Sequence, residues 1–90
     1  MFFIVKGQEQ AAVRDEDSCR ALSYALSDYN CNDSVSRKQV IGSEPLSENY
    51  AVEFDEKRIV TISQVDALKV ADWMLTLGVI KVQITREDYD

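Results

Sequence analysis

The sequence predicts a single α+β domain of order β-α-β-β-β-α-β, with a four- or five-stranded, mostly antiparallel sheet and two helices on one face. Three observations predict it. Short runs rich in β-branched and aromatic residues recur with a period of two. Two longer segments carry apolar residues at helical spacing. Clusters of Gly, Asn, Asp and Ser separate these segments. A helix with one apolar face must cover something, and with two such helices the simplest solution is a shared sheet.

The elements follow in order. Phe2 to Lys6, "FFIVK", is apolar on both alternating faces and reads as a strand covered on both sides, or as a central strand in a sheet. Gly7 marks a bulge or turn, and "QEQAAV" at 8–13 continues the strand. Asp15 is an N-cap with Ser18 three positions on, and Glu16 and Asp17 suit the positive end of the helix dipole. Cys19, Leu22, Ala25, Leu26 and Tyr29 then define a helix over 16–29, closed by the turn formers "NCNDS".

"SVSRKQVIG" gives a short strand over 38–42. "SEPLSEN", with the one proline, Pro45, is a loop. "YAVEF" at 50–54 and "RIVTI" at 58–62 alternate around "DEK" and form an antiparallel hairpin. Ser63 caps the second helix, over 64–77, with Asp66 at the third position as in a capping box. Its apolar face is Ala67, Leu68, Val70, Ala71, Met74, Leu75 and Leu77, and Gly78 stands where a C-cap glycine belongs. "VIKVQIT" is the last strand, with Ile80, Val82 and Ile84 on one face. "REDYD" at 86–90 is a charged tail expected to fray. No repeat is visible, because the halves share a rhythm but not residues.

Ninety residues make one domain, 1–90, with one modest core. Apolar residues are 46% and the net charge is −6, from ten Lys/Arg against sixteen Asp/Glu. That balance argues against nucleic-acid and anionic membrane surfaces and favours a basic protein partner. Met1 precedes the four-residue apolar run Phe2–Val5 with no basic region before it, which does not read as a signal peptide. No stretch approaches the roughly 20 apolar residues of a membrane span. A cytoplasmic location is expected, and with it two free thiols at Cys19 and Cys31.

Chemistry is sparse. The chain has no histidine, which removes histidine-dependent triads and the commonest general base. Its two cysteines cannot fill a structural zinc site. No glycine-rich phosphate loop is present. "DYNCND" offers oxygen ligands at alternate positions, but Asp33 replaces the glycine and Gln39 the final glutamate of a calcium loop. The carboxylates of "DED" at 15–17 and "DEK" at 55–57 lie at element edges, where acids are solvated. No enzyme, metal or cofactor is expected.

What remains is surface. At about 100° per residue, Tyr24 falls opposite the apolar face of the first helix, beside Asp17, Arg20, Ser27 and Asp28. Either its ring packs on Arg20 or on a neighbouring strand, or it is a contact anchor, since tyrosine and tryptophan dominate interface hot spots. Trp73 borders the polar stripe Asp66, Lys69, Asp72 and Thr76 of the second helix. It is either half-buried under a loop or a second anchor. The acids form no regular row, because Arg20, Lys69, Lys57 and Arg58 interrupt them, so phosphate mimicry is disfavoured. The candidate binding residues are Tyr24, Trp73, Asp17, Arg20, Asp28, Asp55, Glu56, Asp66 and Asp72.

In its whole-chain features the sequence resembles the small acidic proteins that bacteriophages encode to inhibit host systems, the anti-CRISPR proteins and other anti-defence inhibitors. It is a stand-alone domain beginning "MFFIVKG", negatively charged, with acids dispersed around aromatic candidates. The resemblance implies stoichiometric inhibition of a larger host complex, one that handles nucleic acid, in the host cytoplasm. It transfers no individual residue. The alternatives are an antitoxin or immunity-type partner, and a homodimer built by edge-strand pairing of "VIKVQIT".

Overall fold

The computed structural model describes residues 1–42 and 48–88. The elements run β1 (Phe2–Lys6), β2 (Glu9–Val13), α1 (Glu16–Asp28), β3 (Val35–Gln39), β4 (Glu48–Phe54), β5 (Lys57–Thr61), α2 (Gln64–Leu77) and β6 (Gln83–Asp88). The strands form one six-stranded sheet, in the order β3-β1-β2-β5-β4-β6, with every neighbouring pair antiparallel. Ile4, Ala11, Val13, Val52, Phe54 and Ile59 share one face of it. They bury against Cys19, Leu22, Ala25 and Leu26 of α1 and Ala67, Val70, Ala71, Trp73 and Met74 of α2. Both helices therefore lie on that face, and the α+β class is as the sequence predicts.

Several expected boundaries move. Gly7 takes φ 62° and turns the chain back, so residues 9–13 form a separate strand that pairs Phe2 with Val13. β1 lies inside the sheet between β3 and β2, as one of its two expected readings had it, but only Ile4 of it is fully buried, so it is not covered equally on both faces. β3 spans Val35–Gln39 instead of 38–42, because its register is set by β1 through Lys6↔Val35 and Phe2↔Gln39. The expected tail enters the sheet instead of fraying: Arg86 pairs with Tyr50 and Glu87 with Asn49, and the last strand begins only at Gln83. Ile80 lies before it, 97% exposed. Of the expected loop and tail, residues 43–47 and 89–90 fall outside the described residues.

The caps are as the sequence predicts. Asp15 accepts a hydrogen bond from the Ser18 amide at 2.8 Å, and Ser63 accepts one from the Asp66 amide at 3.1 Å. Both helices end in a Schellman motif. Asn30 donates to Ser27 O and Cys31 to Leu26 O, while Gly78 donates to Leu75 O and Val79 to Met74 O. Cys31 is thus the residue following a left-handed Asn30, and it packs against the core. Both thiols are unpaired, and Cys19 is fully buried.

These correspondences belong to a repeat that the sequence hides. The chain is two ββαβ units, β1-β2-α1-β3 and β4-β5-α2-β6; residues of β1, β2 and α1 find their structural counterparts 48 positions later, and those of β3 find theirs 47 positions later, as Ile4↔Arg37 and Val52↔Ile84 show. Phe2↔Val13 becomes Tyr50↔Thr61, and Ile4↔Ala11 becomes Val52↔Ile59. Asp15 and Ser63 cap, and Asn30 and Gly78 take positive φ. No residue from 1 to 31 is identical to its counterpart. The units meet at one register pair, Val13↔Thr61, which are themselves counterparts. A pseudo-twofold axis therefore passes between these two residues.

Candidate protein-binding surface

Spacing of three and four residues on a helix places Asp17, Arg20, Tyr24 and Asp28 along one outward stripe of α1. The opposite face holds Cys19, Leu22, Ala25 and Leu26 in the core, so the amphipathic pattern fixes which way the stripe points. Tyr24 is 60% exposed and does not lie buried against a strand. Arg20 reaches back to Glu16 at 3.1 Å, an i,i+4 pair. Tyr24 and Arg20 also border a groove of about 530 Å³ with Glu16, Ser23, Val35 and Arg37.

The C-terminal end of α1 is tied to the β4–β5 turn. Asp28 pairs with Lys57 at 3.7 Å, and the Tyr29 hydroxyl donates to the Asp55 carboxylate. That bond holds the Tyr29 phenol protonated to higher pH than usual. Asp55 and Glu56 are the two central residues of the turn, with φ of 48° and 64°. A two-residue hairpin turn demands this twist, and it points both side chains into solvent. The ridge Asp17–Arg20–Tyr24–Asp28 thus continues into Asp55 and Glu56, and six of the nine sequence-selected residues come together. Among the described residues Asp17 and Glu56 have no ion-pair partner.

The other three do not join them. Trp73 is 2% exposed and sits in the core, which corrects its reading as a surface anchor. Lys6 Nζ lies 5.8 Å from the centre of its ring. Apolar residues of α2 flank its polar stripe on both sides, so helical spacing left the limits of its inward face ambiguous. The structure buries Trp73 and exposes Leu68 and Leu75, which the sequence placed on the inner face. Asp66 is consumed by structure: its Oδ1 accepts from the Ala12 amide at 3.0 Å and its Oδ2 from Ser63 Oγ at 2.7 Å. Asp72 is exposed, but on α2.

Sequence reasoning missed two features. Val65, Leu68 and Leu75 leave exposed apolar side chains on the outer face of α2, for which the apolar residues beyond the helix's inward face were the available signal. The second is the groove between α1 and β3, whose walls come from segments distant in sequence. A further cleft of about 500 Å³ lies at the β4–β5 turn, lined by Glu53, Asp55, Glu56, Lys57, Ile80 and Lys81 among others. Among the described residues no three His, Cys, Asp or Glu side chains gather as a metal site. No helix there is long and apolar enough to cross a membrane.

No family model, curated protein or solved structure matches the chain.

Proposed function

We propose that this is a non-enzymatic binding protein that docks the α1 ridge onto a basic surface of a larger protein assembly. It acts there as a stoichiometric inhibitor of the kind bacteriophages encode, in the host cytoplasm. The observation that carries the reading is Tyr24, an aromatic ring 60% exposed in the middle of a charged stripe. Tyrosine at the centre of a patch supplies contact area at low entropic cost. The flanking Asp17, Asp28, Asp55 and Glu56 steer a cationic partner and raise the association rate more than the final affinity.

The test is affinity capture from host lysate at low and high salt, with wild type, Tyr24→Ala and Asp17→Lys. One complex is expected with wild type, weakened by salt and lost with Tyr24→Ala, whose circular dichroism stays unchanged. Capture unaffected by both substitutions, or no partner at low salt, ends the reading. A captured toxin would assign the same ridge to an antitoxin or immunity-type role. A second reading, a homodimer through the edge of β6, is supported by that strand having, among the described residues, a sheet neighbour on one side only. A monomer by light scattering removes it.

A further inference from the structure

We propose that the free edge of β3 and the groove beside it form a second docking site, for an extended acidic segment of a partner protein that adds to the sheet as a new edge strand. This goes beyond the ridge reading and does not depend on it.

Among the described residues no strand pairs with the outer edge of β3, and its hydrogen-bonding register is defined. Gly7 N donates to Ser34 O, and Val40 N donates to Met1 O, both at 2.9 Å. In an antiparallel ladder bonded pairs alternate, so residues 34, 36, 38 and 40 turn their backbone groups toward β1. The amides and carbonyls of Val35, Arg37 and Gln39 therefore point away from the sheet. All five β3 residues are exposed. An unpaired row of this kind is a template for another strand.

The pseudo-symmetric half shows what a closed version of the same place looks like. Under α2, Val82 and Ile84 are partly buried and pack against the core. Trp73 adds bulk where its counterpart in α1 is Ala25. Under α1 the corresponding strand offers Val35, Arg37 and Gln39 on the helix side, and the groove stays open. One frame, built twice, carries apolar side chains packed on the core at this place in one half and an open groove in the other.

Charge selects the occupant. In a chain of net charge −6, β3 carries Arg37 and Lys38 and no carboxylate. Alternation puts Arg37 on the groove side and Lys38 on the opposite face. The Arg37 guanidinium lies against the Cys19 thiol, and the acid in the groove, Glu16, is held by Arg20. An incoming strand with carboxylates on both faces meets one cation on each, and its groove-side neighbours meet Val35 and the Tyr24 ring. A second copy of this chain pairing β3 to β3 would oppose like charges, which is destabilising.

The probe is a displayed library of random short peptides selected against the intact protein, followed by amide exchange with a selected peptide bound. Enrichment of Asp and Glu at alternate positions is expected, with new protection at the amides of Val35, Arg37 and Gln39. Lys38→Glu should weaken binding about tenfold. Gln39→Pro removes an outward donor without touching the β1 ladder and should reduce binding by a similar factor. Tyr24→Ala alone does not decide between this site and the ridge, whereas Lys38→Glu affects only this one. No enrichment of acids, no protection at those three amides, or a stable dimer in which they are already protected overturns the proposal.

Discussion

Ser18 accepts a hydrogen bond from the Val60 amide, 2.9 Å from Oγ to N, and so joins α1 to the strand of the opposite unit. Asp66 makes the counterpart bond from α2, accepting from the Ala12 amide at 3.0 Å. Residues 12 and 60, and 18 and 66, are equivalent under the pseudo-twofold axis. Because β2 and β5 share one register pair, these side chains satisfy amides that a longer ladder would have paired.

Breaking the seam should therefore cost more than its surface area implies. Ser18→Ala leaves a buried amide unpaired and is expected to destabilise by about 1–3 kcal/mol. Asp66→Ala also loses the bond that Ser63 Oγ donates to its carboxylate and should cost more. Asp66→Asn retains an acceptor and should restore most of the loss. Urea unfolding midpoints of the three variants check this ordering.

Alkaline pH should weaken the fold. The hydrogen bond and charge of Asp33 raise the Lys6 pKa, burial raises that of the Cys19 thiol, and the Asp55 bond raises that of Tyr29. In each case the folded protein holds its proton longer than the unfolded chain. The contribution is complete below the unfolded values, about 8.5 for Cys and 10 or more for Tyr and Lys, and is lost as pH rises through the folded ones. Stability measured by urea at steps above about pH 8.5 should fall, and Asp33→Asn should flatten the Lys6 part of the slope.

The two thiols should separate by reactivity. Cys19 is fully buried and its pKa is raised, which suppresses thiolate. Cys31 is partly exposed at a helix end. A thiol reagent should label Cys31 in native protein and Cys19 only after denaturation. Equal native labelling of both would contradict the burial of α1.

Glu56 holds φ 64°, in the left-handed region that costs a residue with a Cβ about 1–2 kcal/mol. Glu56→Gly relieves it, at the expense of a more flexible unfolded chain, and should raise stability by up to about 1 kcal/mol. A higher thermal midpoint with no loss of hairpin structure is the expected result.

Trp73 and Tyr24 should behave oppositely. Trp73→Ala empties core volume and should cost about 3–5 kcal/mol, whereas Tyr24→Ala should change stability by less than about 0.5 kcal/mol. Native tryptophan fluorescence should be blue-shifted and resist aqueous quenchers. Red-shifted, quenchable emission would return Trp73 to the surface.

The sequence by itself determined what depends on neighbours in the chain. Asp15, Ser63 and Gly78 set helix ends because caps act within one turn, and the "YAVEF"/"RIVTI" alternation set a hairpin because its partners are adjacent. The outward aim of Tyr24 was legible for the same reason, since the apolar face of α1 is narrow. Tertiary structure alone decided the rest. Trp73 and Leu68 flank the polar stripe of α2 on opposite sides, so only the helix's seat on the sheet determined that Trp73 is buried and Leu68 exposed. Asp66 looked like a surface acid until a strand 54 residues earlier donated an amide to it. The ββαβ repeat left no trace in residue identity, because backbone register and capping geometry accept many side chains. The β3 edge stayed hidden because its pairing with β1 is made by backbone groups that every residue carries.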